Sequence, residues 1–235
     1  MRKQIVVVVL VMVFFLGGSI VQGSIIGSLS TPDTSGLIAG LNGWGPNEDG
    51  YRVTWTITLE AEPLYPLLPW HYKYEFSKAN GDPLVKLTSH FIISLSEDIQ
   101  ESDLDYFSDD IETVTFGTLG PGPGNPGFPA GEEIYGAKFD LWNNQAVAEF
   151  YSNRQPMWGD FYAKDGKAAP NVFNYAYNTD LGVEVANPHD YLGTPIDEFD
   201  NVLHKVLVPN TIIPEPATIG LLGLGGVVLL RKRKK

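Results

Sequence analysis

The sequence predicts an all-β domain, an antiparallel β-sandwich in which the jelly roll is one possible arrangement, and three observations carry that reading. Residues 51–60 alternate without a fault, with Tyr51, Val53, Trp55, Ile57 and Leu59 on one face and Arg52, three threonines and Glu60 on the other. This two-residue period is that of a half-buried antiparallel strand. Gly, Pro and Asn punctuate the chain at short intervals, and 24–213 holds no long helical period. Strands that each bury one face need a second sheet to pack against.

The elements follow in order. Residues 24–49 are rich in Gly, Ser and Thr and read as a loose wrap before the first strong strand at 51–60. Residues 70–77 repeat the alternation with Trp70, Tyr72, Tyr74 and Phe76 facing inward, and Asn80-Gly81 marks a turn. Further strands are expected at 90–96, 113–118, 135–142, 146–152, 158–163, 172–177 and 202–208. Residues 145–152 also fit a short helix, but strand is favoured. Asp165-Gly166 is a second turn signal. Residues 117–131 carry six glycines and four prolines, so no strand is expected there. A loop of that length is functional or disordered. Phe128 near its tip is expected to pin it to the body.

The 235 residues carry 16 basic and 28 acidic side chains, a net charge of −12. Seven of the basic residues sit at the two ends. Residues 24–213 therefore hold nine basic side chains against 27 acidic ones, a balance of −18. So acidic a surface repels phosphate backbones and excludes nucleic acid as a partner. The absence of Cys excludes disulfides, thiolate catalysis and Cys-ligated metals.

Both ends read as addresses. Arg2 and Lys3 precede an unbroken apolar run of 12 residues at 5–16, too short for an ordinary membrane span. Val21 and Gly23 place small residues at −3 and −1, so signal peptidase is expected to cut between Gly23 and Ser24. The domain plan is a leader at 1–23, one β domain at 24–211 and a tail at 212–235. In that tail, Pro216 can open a helix, residues 217–230 are uncharged, and Arg231, Lys232, Arg233, Lys234 and Lys235 close the chain. Fourteen helical residues span about 21 Å, short of the ~30 Å hydrocarbon core. The five cations stay cytoplasmic by the positive-inside rule. The tail therefore reads as a short hydrophobic helix holding the chain in the membrane for a time.

Pro214, Glu215, Pro216, Ala217 and Thr218, followed by the Gly/Leu-rich helix and the basic end, closely resemble the bacterial PEP-CTERM protein-sorting signal. The same tail also goes by the name of an ice-binding-protein C-terminal domain, a label that carries no activity over to the cargo. The resemblance implies recognition by exosortase, a membrane transpeptidase that cuts near Pro-Glu-Pro. It further implies transfer from a transient inner-membrane anchor to the cell envelope or an extracellular polysaccharide matrix. The β domain ahead of the tail is similar to uncharacterised cargo domains that accompany this signal.

The middle offers little catalytic chemistry. It has no Gly-x-Ser-x-Gly elbow, no His-Glu-x-x-His and no phosphate-binding glycine motif. His71, His90, His189 and His204 are scattered, so no metal set and no catalytic residue is assigned. Glu97, Asp98, Glu101, Asp103, Asp105, Asp109, Asp110 and Glu112 fall within 16 residues and are tested as calcium ligands. They lack the ligand spacing and glycine of an EF-hand loop, and a solvated acidic loop is expected, with no cofactor. Trp55 and Trp70 belong to the core by their strand faces, while Trp142 and Trp158 lie beside polar residues. Two functions are therefore carried forward. One is a non-catalytic envelope or matrix protein in adhesion or glycan contact, with exopolysaccharide as partner. The other is a secreted enzyme acting on polysaccharide through paired carboxylates.

Overall fold

A computed structural model describes residues 23–40, 44–45, 49–60, 67–105, 110–166 and 173–209. Most of the leader and the whole sorting tail lie outside these, as do Asp109 and Val172. The described residues form thirteen strands: β1 (Ser24–Ser30), β2 (Leu37–Ala39), β3 (Arg52–Leu59), β4 (Trp70–Ser77), β5 (Thr88–Ser94), β6 (Leu104–Asp105), β7 (Ile111–Leu119), β8 (Ile134–Gln145), β9 (Val147–Ser152), β10 (Pro156–Gly159), β11 (Phe161–Asp165), β12 (Tyr175–Asn178) and β13 (Val206–Pro209). Among the described residues, helix is limited to two 3₁₀ turns of three residues each. The strands make a five-stranded sheet, β1-β3-β4-β9-β6, a six-stranded sheet, β2-β12-β11-β5-β8-β7, and a ribbon, β10-β13. Every pairing within them is antiparallel.

The two large sheets pack face to face through aromatic side chains. Alternation turns Tyr72, Tyr74, Phe76 and Phe150 inward from one sheet and Phe91, Phe139 and Phe161 from the other. Their rings run from sheet to sheet, Tyr74 to Phe91 at 5.4 Å, Phe91 to Phe139 at 4.7 Å and Phe139 to Phe150 at 5.0 Å between centroids. Each buried ring contributes about 1.5 to 3 kcal/mol through area removed from water. The buried hydroxyls are matched, Tyr72 donating to the Arg154 carbonyl at 2.9 Å and Tyr74 to the Leu207 carbonyl at 2.7 Å.

The strong strands sit where alternation places them, and β4 spans 70–77 as expected. Residues 147–152 are strand, not helix. Four expectations need correction. The first is the loose wrap at 24–49. Ser24–Ser30 pairs along its length with β3, and Gly27 makes that possible, because a Cβ there would lie 2.3 Å from the Trp55 indole. The second is the start of the strand-free loop at 117. β7 continues through Leu119, with Gly117 opposite Gly136, so the glycine loop begins at 120.

The third is the single strand at 158–163. The chain changes sheets at Asp160, giving β10 to the ribbon and β11 to the six-stranded sheet. The Asp160 carboxylate accepts from Asn178 Nδ2 and from the buried Lys205 ammonium, which fixes the break. The fourth is 202–208, which becomes strand only from Val206.

Candidate functional site

The outer face of the six-stranded sheet carries two side-chain rows. Register sets Lys164 of β11 beside His90 of β5, His90 beside Asp140 of β8, and Asp140 beside Thr113 of β7. The next row runs Tyr177, Tyr162, Ile92, Lys138 and Thr115. The apolar part of this face forms a second small core of Ile92, Phe128, Ile134, Tyr162 and Leu181. The polar part opens into a cleft of about 480 Å³, whose lining includes His90, Lys138, Asp140, Lys164 and Asn144.

The glycine-rich loop borders the cleft at Gly124. Phe128 is 5 % exposed and packs on Tyr162, whose hydroxyl donates to the Pro126 carbonyl at 2.8 Å. Gly127 has φ +73° and lies so close to Tyr175 that a Cβ would meet the ring at 2.2 Å. Asn125 closes the loop on itself, its Nδ2 donating to the Gly120 carbonyl at 2.9 Å. Phe128 thus pins the loop, as its sequence position predicts. The far end of β8 also borders the cleft, where Asn143 and Asn144 are both in the left-handed region and the Asn144 amide packs against Gly166.

Electrostatics within the cleft are uneven. Lys138 Nζ is 2.6 Å from Asp140 Oδ1, and the Thr113 hydroxyl donates to Asp140 Oδ2 at 3.3 Å. His90 is 3 % exposed, and its Nδ1 stands 3.9 Å from Asp140, beyond hydrogen-bond reach. Its Nε2 is buried without a hydrogen-bond partner among the described residues. Burial, then the Lys138 and Lys164 charges, push its pKa down to about 3 against the opposing pull of Asp140 and Asn125. The imidazole is therefore neutral at physiological pH. Lys164 makes no ion pair among the described residues and holds its ammonium 5.0 Å from the Phe173 ring centroid. Burial, then Lys138, lower its pKa, while Asp165 and Asp140 oppose the change. A neutral imidazole, two ammonium groups, a carboxylate, an amide and a hydroxyl meet here. Such a set suits hydrogen bonding to a polar ligand.

The residues singled out in the sequence scatter. Gly23 is exposed, and Ser24 opens β1 with its hydroxyl 2.8 Å from that of Thr58. His71 stacks on Tyr151 at 4.6 Å on the outer face of the other sheet. His204 Nδ1 lies 2.9 Å from Asp180. Trp142 is half exposed, whereas Trp158 packs on Trp55 and donates its indole N–H to the Asp190 carbonyl. The expected solvated acidic loop is corrected in part, because Asp98 and buried Asp103 clamp the guanidinium of buried Arg154. No three acidic or His side chains gather as a metal site among the described residues.

The family model of the PEP-CTERM protein-sorting motif matches residues 213–234. The chain carries a PEP-CTERM sorting signal. The match includes Pro214, Glu215, Pro216, Ala217, Thr218 and the basic run from Arg231 to Lys234. A PEP-CTERM signal implies an exported protein processed at the membrane by exosortase. Neither a curated protein nor a solved structure matches the chain. Among the described residues no helix is long and apolar enough to cross a membrane, and the tail helix expected at 217–230 lies outside them. The last described strand, β13, is buried along its length and ends at Pro209, four residues before the matched segment begins.

Proposed function

We propose that this PEP-CTERM protein is a non-catalytic component of the cell envelope or extracellular matrix that contacts glycan through the cleft above the six-stranded sheet. The observation that carries this reading is the cleft itself. Its polar groups come from four adjacent strands, and its wall is pinned by Phe128. Groups fixed in place before binding lose little entropy on contact with a sugar, which is what recognition of a hydroxyl-rich ligand requires. The tail acts as a transient anchor, cut near Pro214 and Pro216 before release into the matrix. Signal peptidase removes the leader before Ser24.

Two measurements test the proposal. Mass spectrometry of the exported protein should find Ser24 at the start and no residues from 231 to 235 at the end. Replacement of Pro214, Glu215 and Pro216 by alanine should leave the longer form in the inner membrane. A wild-type chain that keeps its basic end at its final location refutes the sorting claim. A glycan array probed with the exported protein should show retention of matrix polysaccharides. Retention of none refutes the binding claim.

One observation favours the enzymatic reading. A cleft of about 550 Å³ is lined by Glu97, Glu133 and Glu184 together with Tyr135 and Trp158. Carboxylates beside aromatic rings are the equipment of glycoside hydrolysis. Release of new reducing ends from a bound polysaccharide, abolished by Glu133→Gln, would select this alternative.

A further inference from the structure

We infer that the cleft above the six-stranded sheet selects sugars bearing a single negative charge, a uronate carboxylate or a sulfate ester, with Lys164 as the residue that reads the charge. This rests on the glycan-contact reading and specifies its ligand class.

The domain balance is −18, yet two ammonium groups, Lys138 and Lys164, line one cleft on the same sheet face. Lys138 is neutralised by Asp140 at 2.6 Å. Lys164 has no ion pair among the described residues and is held over Phe173. One unpaired ammonium, partly withdrawn from water, is matched by one anionic group. The acidic residues elsewhere do not forbid this, because salt screens charges beyond about 8 Å at physiological ionic strength.

The remaining groups suit the neutral part of such a sugar. His90 is buried and neutral, and sits between Lys164 and Asp140 in the cross-strand row. Asp140 accepts hydrogen bonds, and Asn144 does both. From β11 to β8 is two strand spacings, about 10 Å at ~4.8 Å each. Glu112 lines the cleft on β7, one strand further on. The cleft is therefore cationic at the β11 end and acidic at the β7 end. That polarity orients an anionic sugar with its charge towards Lys164.

The test is titration calorimetry of the exported protein with polygalacturonate, a sulfated galactan and dextran, each at two salt concentrations. The account expects binding to at least one charged polymer in preference to dextran, weakened by salt. Lys164→Gln should lower that affinity at least about tenfold, as loss of a charge-assisted contact does, and Lys164→Arg should keep it. Circular dichroism confirms that both variants fold. Preference for polygalacturonate identifies the carboxylate as the source of the charge, and preference for the sulfated polymer identifies the sulfate. Equal binding of dextran and the charged polymers, unchanged in Lys164→Gln, overturns the charge selection and leaves glycan contact standing. Failure of all three polymers and of the glycan array overturns both.

Discussion

Phe128 and Tyr162 lie 5.1 Å apart between ring centroids, and this contact holds the glycine-rich loop against the sheet it overhangs. The loop has five glycines and four prolines over 120–131 and little regular hydrogen bonding of its own. Its position depends on a side chain inserted into the small core of Ile92, Ile134 and Leu181. Phe128→Ala should cost about 3 kcal/mol, the lower end for a buried Phe, because the loop can partly collapse onto the gap. Urea denaturation measures the loss. Glycan binding should fall by more than the stability change explains, since the cleft wall is released.

Arg154 ties the acidic segment to the turn after β9. Its guanidinium meets Asp98 at 2.9 Å and also meets Asp103. Burial works against ionisation of Asp103, but Arg154, the Gln100 N–H and Asn153 outweigh it and hold its pKa low. Arg154→Met should destabilise by about 3 kcal/mol, because Asp103 is left buried and charged. Asp103→Asn in the same chain should recover part of that loss. A depressed folded pKa gives stabilisation that is complete above about pH 4 and fades as pH falls through the folded value. Denaturation midpoints in the Arg154→Met chain should therefore change less between pH 5 and pH 3 than in wild type.

His90 adds a titration of the same sign in a higher window. The unfolded chain takes up its proton near pH 6.5, while the folded value is about 3. Below pH 6.5 the unfolded state binds more protons, so stability falls as pH drops, by up to about 1.4 kcal/mol per unit until about pH 3. Above pH 6.5 the contribution is complete. His90→Gln should flatten the stability profile between pH 6.5 and pH 4. An unchanged slope in that variant would show that His90 is not held neutral.

The strands with strict alternation were legible in the sequence because one face is apolar and the other polar along their whole length, as in β3 and β4. β1 was not, since its inward positions are Ile25, Gly27 and Leu29, and the glycine reads as a breaker until Trp55 is seen to fill its place. The change of sheet at Asp160 was hidden because Trp158 and Phe161 are both apolar, and only long-range partners such as Lys205 and Asn178 reveal the break. The cleft was legible only as a loop. Lys138 and Asp140 share a strand face and can be paired by eye, but His90 and Lys164 join them from strands far away in sequence. The sorting tail was readable residue by residue, because a linear signal needs no fold to display it.

The central claim, that glycan sits in the cleft above the six-stranded sheet, is tested most directly by hydrogen–deuterium exchange of the exported protein with and without a polysaccharide it retains. The account predicts slowed exchange confined to residues 120–128 and 143–145 and the adjoining end of β11. Slowing on the outer face of the five-stranded sheet around Thr56 and Lys73 instead, or no slowing anywhere at saturating polysaccharide, would contradict it.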